Sequence, residues 1–251
     1  METKKKESFK SFLKSFTPYQ IIYLAAVVLL TAVCVIFFPD TMLGEEVFAK
    51  TFLVISMVTS TISNPLCELL ISKQSKWNFV VDFFLIEIPE LVICLNFGWY
   101  AVAATVVFFW MPIDVISFIR WTKHPSEDDA NVTHVKRLKG WQTALTVVAI
   151  IAFGLLVGKL LQFVPGASDT YLDAFASAVG MSNGILLLLR YSEQWLAWLI
   201  TTILYLFMDI SSGAYVLLIT EIAMLVNTIY GIVKWFIYTK KHPTERIKEK
   251  V

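Results

Sequence analysis

Hydrophobic positions in this chain form long blocks, separated by short polar segments. Each block approaches the about 20 apolar residues that an α-helix needs to cross a bilayer. The blocks cover residues 21–38, 48–71, 77–95, 97–119, 141–164, 174–189, 194–208 and 211–233. We therefore predict an all-α polytopic membrane protein with eight transmembrane helices.

The composition agrees with this prediction and excludes several classes of protein. Apolar residues make up 57% of the 251 residues and charged residues only 16%, with a mean hydropathy of +0.67. Soluble domains have about 45–50% apolar and about 25% charged residues. This excess of apolar side chains argues against a soluble enzyme, a disordered protein and a disulfide-stapled domain.

Residues for catalysis or metal binding are scarce. The three cysteines are widely spaced within apolar blocks, the three histidines lie in polar segments, and no nucleotide-binding loop occurs. We therefore expect no enzymatic activity, no catalytic residues, no metal site, no cofactor and no nucleic-acid partner.

The positions of the charges predict the orientation in the membrane. If residues 1–19 form a cytoplasmic tail, all Lys and Arg residues except Lys50 and Lys159 fall on the inner side. Positive charge marks the cytoplasmic side of a membrane protein. Residues 122–140 are then a cytoplasmic linker and residues 239–251 a cytoplasmic tail, so both termini are predicted to be cytoplasmic.

Three short patterns occur twice in the same order. Ser63-Asn64-Pro65 returns as Ser182-Asn183-Gly184, Trp77 as Trp195, and Ser117-x-x-x-Trp121 as Gly231-x-x-x-Trp235. An internal repeat of this kind predicts a duplicated unit. Duplicated halves in a membrane protein are typical of transporters that hold the substrate between the halves.

The repeat predicts a 3+1+3 arrangement with one added helix. Residues 20–47 would be the extra amino-terminal helix and its outer loop, and residues 48–121 the first three-helix repeat. Because three crossings end on the inner side, a linker helix at 141–164 must cross back before the second repeat at 171–238. The two repeats are then parallel.

Several of these motifs resemble the PnuC-type vitamin transporters. Trp195-x-x-Trp198 resembles that family's Trp-x-x-Trp-x-x-x-Asn motif, with Thr202 where Asn is usual. Gly231-x-x-x-Trp235 and Pro112…Ser117-x-x-x-Trp121 resemble its span endings, with Ser117 where Gly is common. The 3+1+3 layout is also similar to the SWEET-like fold.

The resemblance implies uptake of nicotinamide riboside across a bacterial inner membrane. Transport would be facilitated diffusion, with phosphorylation by a cytoplasmic kinase trapping the product. Related substrates are the alternative, namely thiamine, riboflavin or a deoxyribonucleoside. The partners would be this small molecule, the lipid bilayer and the kinase, and a homo-oligomer is a further option.

The seventh block carries a stripe suited to a ligand with an aromatic ring and a sugar. Trp195, Trp198, Thr202, Tyr205 and Asp209 follow one another at spacings of three and four, which places them on one helical face. Of these, we predict that Trp195, Trp198, Thr202 and Tyr205 bind substrate. For Trp195 the alternative is an anchor at the membrane interface.

Acidic residues inside the apolar blocks are the second signal. Glu87, Glu90 and Glu221 lie within predicted spans, and Pro89 allows a kink between the first two. A charge in the membrane normally faces a cavity or a partner. These glutamates would bind substrate, bond neighbouring helices in protonated form, or relay protons for coupled transport. Asp82 is expected to be solvated near the inner surface.

The remaining candidates are amides and helix breakers. We predict that Asn64, Asn183 and Asn227 contact substrate, with knitting of helices as the alternative. Pro65 and Gly184 occupy matched positions in the repeats and are candidate hinges, because both residues weaken a helix. Close helix packing around a small residue is the alternative for this pair.

Overall fold

The computed structural model describes residues 16–37, 48–123 and 136–241, and within these ranges it is helical. The helices are α1 (Pro18–Phe37), α2 (Lys50–Ser72), α3 (Asn78–Leu85), α4 (Glu87–Phe97), α5 (Tyr100–Thr105), α6 (Met111–Lys123), α7 (Gly140–Leu161), α8 (Thr170–Leu188), α9 (Gln194–Ser212) and α10 (Leu218–Lys241), with a π-helical turn, Val106–Trp110, joining α5 to α6. Outside these ranges lie most of both predicted tails and most of the predicted outer loop and linker. What was expected of those segments therefore stays a prediction.

Seven uninterrupted helical stretches in the described ranges are long and apolar enough to cross a membrane. The predicted third span differs, because it consists of α3 and α4 joined at Ile86. Pro89 explains the break. A proline ring clashes with the carbonyl four residues earlier, here that of Leu85, the last residue of α3. The kink expected at Pro89 is therefore present, as a full interruption of the helix.

The other two prolines within predicted spans have different effects. Pro112 follows the π-helical turn Val106–Trp110, and its carbonyl clash would fall on Phe108 inside that turn. Pro65, in contrast, lies inside α2, which continues unbroken to Ser72. Irregular helix geometry is thus concentrated in α3–α4, which is broken, and in α5–α6, which contains the π-helical turn.

The packing interleaves the two predicted repeats. Helix α2 packs on α3 and α4 of its own repeat and on α10 of the other, while α8 packs on α9 and on α5 and α6. Helices α1 and α7 lie at the periphery with mostly exposed apolar side chains, as expected for surfaces that face lipid. The center of the bundle is therefore formed by helices from both repeats.

Matched features occur at corresponding points of the two repeats. The backbone is left-handed at Gln74 and Arg190, after α2 and α8, and at Gly98 and Gly213, after α4 and α9. The indole of Trp121 donates to Leu187 O at 3.0 Å, and that of Trp235 donates to Ile71 O at 3.2 Å, so each repeat bonds the other at the same place. These pairs support the predicted duplication.

The matched contacts change one detail of the predicted alignment. Trp195 packs edge-to-face on Trp235 with ring centroids 5.7 Å apart, and Phe79 packs edge-to-face on Trp121 at 5.0 Å. The counterpart of Trp195 is therefore Phe79. Trp77, the counterpart expected from the sequence, is 45% exposed, whereas Trp195 is 2% exposed.

Candidate functional site

A central cavity of about 50 Å³ lies between α2, α4, α9 and α10. It brings together six of the residues predicted to bind substrate: Asn64, Glu90, Trp198, Thr202, Tyr205 and Glu221. Its other lining residues are Ser60, Ile93, Trp99, Thr201, Asp209, Leu217, Thr220 and Met224. Most of the side chains predicted to bind substrate therefore meet around one interior space.

The stripe on α9 explains how the aromatic and hydroxyl side chains reach the cavity. Trp198, Thr202, Tyr205 and Asp209 share the face that lines it. Apolar side chains on the opposite face, such as Phe207, are exposed on the outer surface of the bundle. Helical periodicity therefore separates a cavity-facing stripe from a stripe on the outer surface of the bundle.

Glu90 is the center of a polar network in the cavity. The hydroxyl of Ser60 donates to Glu90 Oε2 at 3.4 Å, and Asn64 Nδ2 donates to Ser60 Oγ at 3.0 Å. The Tyr205 side chain lines the same cavity from α9. Helices α2 and α4 are thereby connected through one carboxyl group.

Asp209 and Trp99 offer polar atoms that face the same space. Both side chains are 1% exposed. Neither the two Asp209 carboxylate oxygens nor Trp99 Nε1 has a hydrogen-bond partner among the described residues. A buried polar atom without a partner carries a free-energy cost that a ligand can remove by binding to it.

A second cavity of about 60 Å³ adjoins the first. The two cavities share Asn64, Glu90 and Trp198 as lining residues. The second is completed by Asp82, Ile86, Glu87, Val106 and Trp110. It therefore lies beside the break between α3 and α4 and beside the π-helical turn, where the helices are least regular.

Glu87 belongs to this second cavity and to a group of three buried carboxyl groups. One oxygen from each of Asp82, Glu87 and Asp114 lies within 4.8 Å of the other two. Carboxylate oxygens are suitable ligands for a hard cation, or for a shared proton. Asp82, expected to be solvated, is only 7% exposed, so that expectation is wrong.

The structure places Trp195 outside both cavities. It lies in a packed cluster with Trp121, Trp235 and Phe79. A Cβ atom on Gly231 would come within 2.2 Å of the Trp195 ring. Trp195 therefore acts in helix packing here, and it is neither a cavity wall nor an exposed anchor at an interface.

Two predicted amides also line neither cavity. Asn183 is fully buried, and with its oxygen oriented toward the indole it accepts from Trp198 Nε1 at 3.1 Å and donates to Gln194 O at 3.1 Å. Asn227 donates to Glu68 Oε2 at 2.9 Å, and Thr228 donates to Glu68 Oε1. Asn183 thus positions a cavity residue, and Asn227 connects α10 to α2.

The proposed hinge residues lie in continuous helices. At Gly184 an added Cβ would lie 2.6 Å from the Phe109 ring. This contact favours the packing alternative for Gly184, and α8 has no break there. The hinge assignment of Pro65 and Gly184 remains a prediction.

Sequence reasoning missed several cavity residues. Ser60 precedes Asn64 by one helical turn and Thr220 adjoins Glu221, so helical spacing could have suggested both. Trp99 follows the left-handed Gly98 in a connection between helices, where no periodic signal exists. Its place in the cavity depends on tertiary packing alone.

Comparison with known proteins agrees with this architecture. The chain is 25% identical over 229 residues to the nicotinamide riboside transporter PnuC of Haemophilus influenzae, covering 90% of this chain and 93% of that protein. It is 22% identical over 236 residues to the protein of the same name from Neisseria mucosa, covering 90% and 84%.

A solved structure also matches the fold. The crystal structure of the vitamin B3 transporter PnuC superposes with a TM-score of 0.74 at 21% identity, covering 94% of this chain and all of that one. The family model for the nicotinamide mononucleotide transporter matches residues 53–237. The chain is therefore a multi-pass membrane transporter, not an enzyme, and it belongs to the nicotinamide mononucleotide transporter family.

Proposed function

We propose that this transporter takes up nicotinamide riboside across a bacterial inner membrane by facilitated diffusion, with both termini in the cytoplasm. The observation that carries the proposal is the lining of the central cavity. One wall presents Trp198, Thr202 and Tyr205, and the others present Glu90 and Glu221. The names of the two relatives support the same substrate.

The lining suits a cationic ring attached to an uncharged sugar. The indole of Trp198 borders both cavities, and an aromatic face attracts a pyridinium ring by about 0.5–2 kcal/mol. Thr202, Tyr205 and Asn64 supply hydroxyl and amide groups for the sugar. Glu90 and Glu221 supply acceptors that complement the positive charge.

The same lining disfavours a phosphate group. Among the described residues that line the two cavities there are several carboxyl groups and no lysine or arginine. Phosphate recognition normally uses arginine, lysine or a helix amino terminus. The cavity therefore favours the nucleoside over the mononucleotide, and phosphorylation by a cytoplasmic kinase would prevent the product from leaving.

We further propose that the two repeats move against each other around this site. The matched contacts of Trp121 and Trp235 fit a 3+1+3 arrangement with α1 added and α7 as the linker helix. Pro65 and Gly184 remain candidate hinges, and the breaks at Ile86 and at Val106–Trp110 border the second cavity. A homo-oligomer is compatible with the exposed α1 and α7.

Uptake by purified protein in proteoliposomes tests the substrate and the mechanism together. Labelled nicotinamide riboside is expected to equilibrate without a proton or sodium gradient, and unlabelled nicotinamide mononucleotide should not compete. A melting-temperature panel with nicotinamide riboside, thiamine, riboflavin and nucleosides identifies the ligand, because a ligand that binds only the folded state raises the melting temperature. Stabilisation by thiamine alone would refute the proposed substrate.

Proton-coupled transport is the second candidate. The observation in its favour is the buried group of Asp82, Glu87 and Asp114, which borders the substrate path. Coupling predicts alkalinisation of the external medium when substrate is added, and Glu87→Gln would abolish accumulation against a gradient while exchange continues. Uptake that stops at equal concentrations on both sides excludes coupling.

A further inference from the structure

A third cavity, here called the vestibule, lies where α4 and α9 end and α5 and α8 begin. It has a volume of about 400 Å³, the largest of the three. Its lining is Leu95, Asn96, Phe97, Gly98, Tyr100, Gly166, Ser168, Asp169, Ser211 and Ser212. It shares no residue with the central cavity, so it is a separate space.

Asn96 supplies unused hydrogen-bonding capacity in the vestibule. The side chain is 2% exposed, and neither its amide nitrogen nor its amide oxygen has a hydrogen-bond partner among the described residues. A buried amide without partners is costly, because it has lost water and gained nothing in exchange. Because Asn96 lines the vestibule, its donor and acceptor are the unpaired amide groups that adjoin this space.

The neighbouring polar groups are mostly engaged with one another. Ser168 donates to Phe97 O, and Ser211 donates to Asp169 Oδ2. Asp169 is the one charged side chain in the lining, which contains no basic residue among the described positions. An uncharged or cationic ligand therefore fits the vestibule better than an anion.

A thin wall separates the vestibule from the central cavity. The Phe97 ring lines the vestibule and the Trp99 ring lines the central cavity, and the two rings stack with centroids 5.2 Å apart at an angle of 22°. On α9, Asp209 lines the central cavity while Ser211 and Ser212 line the vestibule. One aromatic pair and less than one helical turn therefore lie between the two spaces.

We propose that the vestibule is a binding site in which the hydroxyl or carboxamide groups of the transported nucleoside bond Asn96 before the ligand passes the Phe97–Trp99 pair. This inference rests on the proposed function, since it places a second site on the path to the central cavity. Asn96 offers the donor and acceptor that such groups need, and Asp169 disfavours phosphorylated competitors.

Substitution of Asn96 separates this site from the central one. Asn96→Leu keeps a similar volume and removes both polar atoms. The KM for uptake should rise about fivefold, because one hydrogen bond is lost. The Kd measured at the central cavity by calorimetry should change less than twofold. Gln162→Leu, an exposed amide substitution near the same end, is the matched control and should change neither value.

Labelling after folding avoids the risk that a variant misfolds. Ser212→Cys is placed in a Cys34→Ser background, because Cys67 and Cys94 are buried and Cys34 is partly exposed. Nicotinamide riboside should slow the reaction of this thiol with a methanethiosulfonate reagent, and it should still do so when Trp198→Ala weakens the central site.

The outcomes distinguish the two proposals. If nicotinamide riboside does not bind the unmodified protein, the proposed function fails. If it binds and is transported, but Asn96→Leu has a normal KM or protection of the thiol disappears with Trp198→Ala, the vestibule proposal alone is overturned. Slowed labelling together with a raised KM supports it.

Discussion

The two predicted repeats have similar contacts and backbone geometry at their helix ends, and they differ in the continuity of their middle helix. At the ends, Trp121 and Trp235 make the same cross-repeat hydrogen bond, and Gly98 and Gly213 have nearly the same left-handed backbone. In the middle, the first repeat has a broken helix pair, α3–α4, whereas the second has the continuous helix α9.

The two repeats contribute different sets of side chains to the site, although both contribute acids. The first supplies Asp82, Glu87 and Glu90 around the break, and α9 of the second supplies Trp198, Thr202 and Tyr205. A duplicated scaffold can thus hold its shape through matched end contacts while its two inner faces take different roles. The acids and the aromatic wall meet because the repeats interleave.

The largest expected effect comes from removing the aromatic wall. Trp198→Ala should weaken binding of nicotinamide riboside by about 100-fold, since ring stacking on an aromatic side chain contributes up to about 3 kcal/mol. Calorimetric titration of the purified protein measures this. Trp77→Ala removes an exposed indole of the first repeat and should leave Kd unchanged. Equal losses in both variants would contradict the assignment of the wall.

A smaller effect is expected from the acidic side of the comparison. Glu90→Gln keeps the shape of the side chain but removes the charge shared by the two cavities. The Kd for nicotinamide riboside should rise about tenfold, which corresponds to the lower limit of the free energy of a hydrogen bond to a charged group, about 1.5 kcal/mol. The control is Glu193→Gln, because Glu193 lies outside both cavities and pairs with Arg137. A Glu90→Gln protein with normal affinity would show that the carboxylate does not face the ligand.

The packed end of the second repeat can be tested through stability. Gly231→Ala places a methyl group within 2.2 Å of the Trp195 ring. Overpacking of this kind lowers the free energy of unfolding by about 1–3 kcal/mol. The melting temperature should fall, and Trp195→Phe should restore part of it, because the first repeat combines Phe79 with Ser117 at these positions. Gly140→Ala, with open space around it, should have little effect on melting. Absence of rescue would argue against this pairing.

The smallest effects test the symmetry of the ends directly. Trp121→Phe and Trp235→Phe each remove one indole hydrogen bond, which is worth about 1 kcal/mol. Because the two bonds occupy matched places, the two variants should lower the melting temperature by similar amounts. A large difference between them would mean that one repeat carries the interface.

Six of the ten predicted ligand residues line the central cavity, because helical spacing and intramembrane charge are visible in a sequence. Glu87 lines the second cavity. Trp195 fits the helical stripe, and Asn183 and Asn227 are amides inside predicted spans, but these three contact Gly231, Trp198 and Glu68 on neighbouring helices. A sequence pattern indicates that a side chain faces inward, and it does not distinguish a cavity from a packed contact.

The sequence by itself determined the membrane-spanning character and the cavity-facing stripe of α9, since each depends on hydropathy or on local spacing. Only the tertiary structure decided that Phe79 is the counterpart of Trp195, that Asp82 is buried, and that Phe97 and Trp99 separate two cavities. Those features arise where helices from different repeats meet, and their energies depend on contacts between residues far apart in the chain.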